Sequence, residues 1–148
     1  MSQNVNLKID DKEVCVPEGT TILEAAKTVG IDIPTLCFLK DINEIGDCRM
    51  CIVEVEGRRG FATSCIQKVE EGMIVRTHSP EVIEARKVVL DLILSNHQRD
   101  CLVCTRNGNC ELQNLAVKFN VTDVKFEGEK NQHMIDNISP SIVRDFNK

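Results

Sequence analysis

Tryptophan and tyrosine are missing from the 148 residues, and aromatic side chains make up only 3% of the chain. A large aromatic core is thereby excluded, and in so short a chain bound inorganic centres are expected to supply part of the stability. No apolar run reaches the length of a membrane span, and the opening Met1 to Asn6 has neither the basic nor the apolar segment of a signal peptide. Membrane insertion and secretion are not expected; a cytoplasmic, reducing setting is. The net charge is −5, with no basic stripe or aromatic platform, which argues against nucleic acid as a partner. Also missing are a glycine-rich phosphate loop, a dinucleotide fingerprint and a nucleophile paired with a base. No catalytic residue is expected in the chain itself.

Cysteine is abundant by contrast, with eight in the chain. In a reducing compartment thiols are metal ligands more often than disulfides. Four fall in one region: Cys37, then the CxxC pair Cys48 and Cys51, then Cys65. Gly46 enters the pair through Gly46-Asp47-Cys48-Arg49-Met50-Cys51, a turn whose N–H groups can point at sulfur. A lone Cys, a CxxC and a distant fourth Cys is the order of a plant-type [2Fe–2S] site, here with a longer first gap. Structural zinc typically draws on two close ligand pairs, and only one exists here, so the spacing favours iron–sulfur. The second group is His97, Cys101, Cys104 and Cys110. Spacing alone leaves it open between a Cys₃His zinc knuckle and an iron–sulfur cluster. Cys15, out of phase with Val14 and Val16, reads as a structural strand cysteine, and His78 and His133 as surface residues.

The hydrophobic pattern places these groups. Val5, Leu7 and Ile9 alternate with polar residues, Asp10 and Asp11 offer a turn, and Val14 and Val16 resume, predicting a hairpin. Thr21 and Glu24 have capping-box spacing ahead of an apolar face at Ile22, Leu23, Ala25, Ala26 and Val29, and Gly30 can end that helix. Val53 and Val55 read as a strand before a turn at Gly57, and Met73 to Val75 as another. A small mixed sheet crossed by one helix follows for residues 1–78. Ser79 and Pro80 then open a helix over about 80–95, with an apolar stripe at Val82, Ala85, Val89, Leu92 and Ile93. Leu112, Leu115, Ala116 and Phe119 predict a shorter helix, and 121–148 reads as a mostly irregular tail.

Both cysteine groups resemble one family. The Cys37, Cys48, Cys51, Cys65 spacing, the run Gly46 to Cys51 and the following Val53 to Gly57 are similar to the N-terminal iron–sulfur region of the large electron-transfer subunit of respiratory complex I and of the related iron-only and NAD(P)-linked hydrogenases. Asn96 and His97 through Cys110 to Ala116 resemble that family's His-ligated [4Fe–4S] motif. The resemblance implies an α+β chain: a β-grasp [2Fe–2S] ferredoxin-like domain over 1–78, then a small helical [4Fe–4S]-binding domain over 79–120. It implies Cys37, Cys48, Cys51 and Cys65 as [2Fe–2S] ligands and His97, Cys101, Cys104 and Cys110 as [4Fe–4S] ligands. A zinc-stabilised interaction module becomes the alternative reading. The implied role is single-electron relay within an NAD(P)H-linked oxidoreductase of hydrogenase, formate dehydrogenase or NADH dehydrogenase type, beside a flavin- and NAD(P)-binding partner subunit and further iron–sulfur subunits. Ser141 to Lys148 is similar to the segment that leads, in the hydrogenases, into a two-cluster ferredoxin domain, with Phe146 where relatives have Pro. The expectation is a chain that stops short of that domain.

Overall fold

The computed structural model of the chain describes residues 4–127 and 134–144. His133 and Phe146 lie outside the described residues. The chain divides into two compact units, residues 1–89 and 90–148.

Five short strands build the first unit: β1 (Asn4–Ile9), β2 (Lys12–Pro17), β3 (Ile52–Val55), β4 (Phe61–Thr63) and β5 (Ile74–Arg76). They form one mixed sheet in the order β2-β1-β5-β3-β4. The β1–β2 hairpin pairs Val5 with Val16 and Leu7 with Val14 on one buried face, and Ile9 with Lys12 beside the turn. Asp10 makes the turn possible by taking a left-handed φ of 51°. β5 lies parallel to β1, while β3 runs antiparallel to both β5 and β4.

Helix α1 (Ile22–Thr28) carries the reciprocal capping box expected of its sequence: Glu24 N–H donates to Thr21 Oγ1 at 3.2 Å, and Thr21 N–H donates to the Glu24 carboxylate at 3.3 Å. Ile22, Leu23, Ala25 and Ala26 are buried in the same core as Val5, Leu7, Ile9, Val14, Val53 and Val75. Each fully buried aliphatic side chain there contributes about 1.5–3 kcal/mol. Cys51 and Cys65 belong to this core. The arrangement is the expected α+β one, a β-grasp sheet crossed by a helix, and it puts two of the thiols at the sheet's inner edge.

Helix α2 (Pro80–Asn96) begins in the first unit and ends in the second. Its start follows the sequence, with Val82 N–H donating to Ser79 Oγ at 3.3 Å. Its buried residues depart from the expected stripe: Val82, Arg86, Leu90 and Asp91 are buried, whereas Leu92 is half exposed. Val82, Arg86 and Leu90 follow one another at steps of four, the spacing of one helix face. A stripe drawn through apolar residues alone passes over the arginine at its centre. Among the described residues, the second unit further holds one 3-10 turn (Cys101–Val103), α3 (Glu111–Lys118), whose inner side is Leu115 with Phe119 beyond its end, and an isolated antiparallel bridge between Asp136 and Arg144. Among the described residues no helix is long and apolar enough to cross a membrane.

Candidate iron–sulfur sites

The first group of thiols sits on the loop between α1 and β3 and on the turn after β4. Cys37 is held by its carbonyl, which accepts from Asn43 Nδ2 at 2.7 Å, while Leu39 and Asn43 pair their backbones across the loop. Gly46 takes φ 67°, and a Cβ there would lie 3.0 Å from side-chain atoms of Ile66 and Thr63, so only glycine fits without displacement. Arg49 also adopts a left-handed φ, 61°, and donates through Nη1 to Thr63 Oγ1 at 2.8 Å, tying the CxxC turn to β4. Met50, between the two cysteines of the pair, is fully buried. The Cys48 N–H donates to Cys37 Sγ at 3.4 Å, an amide-to-sulfur bond of the kind that tunes an iron–sulfur centre.

Cys51 and Cys65 are joined through Ser64. Its N–H and hydroxyl both donate to the Cys51 carbonyl, at 3.2 and 2.7 Å. The turn bearing Cys65 in turn satisfies the start of α1, with Ile22 N–H donating to Gln67 O at 2.9 Å and Leu23 N–H to Ser64 O at 3.0 Å. Burial pushes the Cys65 thiol up to about 12, and Cys51, Cys37 and Cys48 add to the effect. Those three thiols are thus close enough to feel a negative charge on Cys65. A cationic iron centre would reverse the penalty, since a coordinated thiol is deprotonated outright.

A buried cation accompanies them. Arg86 is 0% exposed and donates from Nη2 to the Ile52 carbonyl at 2.7 Å, while its Nε and Nη1 are buried without a hydrogen-bond partner. Burial pushes its guanidinium down to about 10, and the charges of Cys51 and Asp10 act in the opposite direction. The guanidinium stays protonated at neutral pH. Orphaned donors beside a group of thiols fit an anionic centre held by those thiols.

The second group surrounds a cavity of about 180 Å³ whose wall includes His97, Cys101, Cys104 and Cys110 together. Apolar walls come from Leu94, Leu112, Ala116 and Val124. His97 follows α2 directly, with its N–H on Leu94 O at 3.3 Å. Cys101 and Cys104 lie on the 3-10 turn and its cap, where Arg106 N–H donates to Cys104 Sγ at 3.5 Å. The turn leading to Cys110 is braced by Gln113, which accepts from Gly108 N–H at 3.3 Å and donates to Asn107 Oδ1 at 3.1 Å. Cys110 is the N-cap residue of α3.

Among the described residues no three His, Cys, Asp or Glu side chains converge on a position for a single metal ion. A cluster asks for a wider ring of donors, because its ligands bind different irons. Cys15 stands apart, exposed on β2 opposite Asn6. His78 is exposed, with Nδ1 at 2.5 Å from Thr77 Oγ1. Ser64 and Arg86 have no signal in the sequence pattern. Neither carries a motif, and both become visible only once β3 and its neighbours are in register.

A β-grasp sheet with sulfur donors at its edge, followed by a helical unit with a His and three Cys around one cavity, defines an iron–sulfur electron-transfer module. Residues 2–80 match the 2Fe-2S iron-sulfur cluster binding domain, and residues 86–125 match the NADH-ubiquinone oxidoreductase-G iron-sulfur binding region. The chain belongs to the 2Fe-2S iron-sulfur cluster binding domain family, and the two matches together correspond to one [2Fe–2S] and one [4Fe–4S] cluster. It is 48% identical to the NADP-reducing hydrogenase subunit HndD of Solidesulfovibrio fructosivorans over 97% of this chain and 26% of that protein. It is 37% identical to an NADH-quinone oxidoreductase subunit of Rhizobium meliloti (strain 1021), over 97% of this chain and 17% of that protein. Among solved structures, a chain from the crystal structure of NAD+-reducing [NiFe]-hydrogenase in the H2-reduced state superposes with a TM-score of 0.87 at 30% identity, covering 97% of this chain and 60% of that one. The chain therefore spans about a quarter or less of the two curated relatives.

Proposed function

We propose that Cys37, Cys48, Cys51 and Cys65 hold the [2Fe–2S] cluster, that His97, Cys101, Cys104 and Cys110 hold the [4Fe–4S] cluster, and that the chain relays single electrons between them. The domains concerned are residues 1–78 and 79–120, with 121–148 a tail. The observation that carries the reading is the cavity whose wall contains all four donors of the second group. The clusters, when bound, supply the one-electron chemistry; the protein's part is position, water exclusion and electrostatics. At the first site Cys51 and Cys65 are buried while Cys37 and Cys48 are half buried. One edge of the centre is thereby fixed in a water-excluding core, and the other is left within reach of an electron partner. The Cys48 N–H donating to Cys37 Sγ and the Arg106 N–H donating to Cys104 Sγ lend each site a hydrogen bond to sulfur.

The setting is an NAD(P)H-linked oxidoreductase assembly of hydrogenase, formate dehydrogenase or NADH dehydrogenase type. The relatives named for NADP or NADH support this. The chain carries no dinucleotide fingerprint, so nicotinamide and flavin chemistry falls to a partner subunit, with further iron–sulfur subunits beyond it. The location is cytoplasmic. The test is anaerobic loading of the full chain followed by electron paramagnetic resonance of the reduced protein. Cys48→Ser and Cys51→Ser each abolish or severely weaken the [2Fe–2S] signal and leave the other, while Cys15→Ser leaves both. An intact [2Fe–2S] signal in Cys51→Ser, or its loss in Cys15→Ser, would overturn the ligand set.

A further inference from the structure

Arginine is rarely buried completely, and when it is, its five donors are ordinarily paired. Arg86 departs from that pattern. It is 0% exposed, and its hydrogen bonding consists of Nη2 on the Ile52 carbonyl at 2.7 Å, with Nε and Nη1 left unpartnered. No ion pair with a carboxylate satisfies it among the described residues. Asp10 is within range of its charge, yet both Asp10 oxygens are taken by Thr77, through its N–H and its hydroxyl at 2.7 Å each. The position also lies outside residues 2–80, the span of the [2Fe–2S] match. Burying a cation with idle donors is costly, and a nearby anion offsets the cost.

The Ile52 carbonyl is one residue from Cys51, so the guanidinium is held beside the inner edge of the first site. A [2Fe–2S] centre on four thiolates is an anion, and reduction adds a further negative charge without a proton. We infer that Arg86 is the internal counter-cation of this centre: its buried guanidinium stabilises the reduced form and holds the potential up. It acts through the field it places on the Cys51 side, as a positioning residue and not a ligand. In a core of low dielectric a fixed charge acts more strongly than a solvated one. The inference rests on Cys51 being a ligand.

The experiment is a dithionite redox titration of the full, anaerobically loaded chain, followed by electron paramagnetic resonance at both centres. Arg86→Met removes the charge and keeps the length of the side chain; Arg86→Lys keeps the charge. The methionine variant lowers the [2Fe–2S] midpoint and leaves the [4Fe–4S] midpoint in the same sample in place, whereas the lysine variant stays near the parent value. Asp10→Asn, which removes the opposing charge, shifts the same midpoint upward. A structural role alone would not give opposite signs. An unchanged midpoint in Arg86→Met, or a lysine variant that falls as far as methionine, overturns the inference. Should the methionine chain fail to accumulate, Arg86→Gln, which also removes the charge, decides, and no downward shift there overturns it. Persistence of the [2Fe–2S] signal in Cys51→Ser would instead remove the ligand set on which the inference rests.

Discussion

Replacing Ser64 by Ala deletes one hydroxyl from the link between two proposed ligands that are distant in sequence. Ser64 is 0% exposed, and its Oγ donates to the Cys51 carbonyl at 2.7 Å alongside its own N–H at 3.2 Å. The variant leaves that carbonyl with one donor, so no acceptor is orphaned. The cost is that of one buried hydrogen bond, about 0.5–1.5 kcal/mol, and not the larger penalty for an unsatisfied group. For a unit of this size each kcal/mol moves the melting temperature by roughly 4–8 °C. Thermal denaturation of the metal-free chain, read by circular dichroism, should therefore show a fall of about 5 °C. In the loaded chain the same change should speed loss of the visible spectrum under a chelator, because Cys51 and Cys65 are no longer held as firmly. Ser95→Ala is the control: its hydroxyl bonds Leu92 O at 2.7 Å on an exposed part of α2, and its effect should stay within about 0.5 kcal/mol. An equal effect at both serines, or a loss at Ser64 above about 3 kcal/mol, would show that the Ser64 hydroxyl does not act as a single buried hydrogen bond.

Gly46→Ala meets both a left-handed φ of 67° and contacts of 3.0 Å, so it should destabilise the loop by about 1–2 kcal/mol, measured by chemical denaturation. An unchanged midpoint would mean that the loop relaxes freely. In the metal-free chain Cys65, pushed up by burial to about 12 from an ordinary 9.0, keeps its proton after the unfolded chain has lost it. Its contribution to stability should be level below pH 9 and fall as pH rises from 9 toward 12, at no more than about 1.4 kcal/mol per pH unit, with Cys65→Ser flattening that decline. His97→Cys replaces a neutral imidazole by a thiolate, so the [4Fe–4S] potential should drop while the [2Fe–2S] potential holds, in the sense that His-for-Cys replacement raises the potential of Rieske centres. An unaltered [4Fe–4S] titration would take His97 off the ligand set.

Features set by neighbouring residues were legible in the sequence. The alternation at Val5, Leu7 and Ile9, the Thr21 capping box and the Ser79-Pro80 start of α2 each depend on a few adjacent residues, and each element formed where its signal stood. The CxxC signal is local in the same way, since a CxxC on a turn brings its thiols together whatever the rest of the fold does, and His97, Cys101, Cys104 and Cys110 share the wall of one cavity. β4 was not legible, because three residues are too few for an alternation to stand out. That omission carried others with it. Pairing of Ile52 with Thr63 is what brings Ser64 beside Cys51, and no local pattern reports a strand register. Arg86 was hidden differently, since a guanidinium at 0% exposure runs against the rule that apolar residues trace a helix's inner face.

This one chain corresponds to two different iron–sulfur clusters, one [2Fe–2S] and one [4Fe–4S]. Anaerobic purification of the full chain, with iron, labile sulfide and zinc determined on the sample used for electron paramagnetic resonance, tests it most directly. The expected result is a coloured protein in which sulfide matches iron, zinc is negligible, and reduction develops two distinct signals with [2Fe–2S] and [4Fe–4S] character. A colourless chain with stoichiometric zinc and no labile sulfide would contradict it.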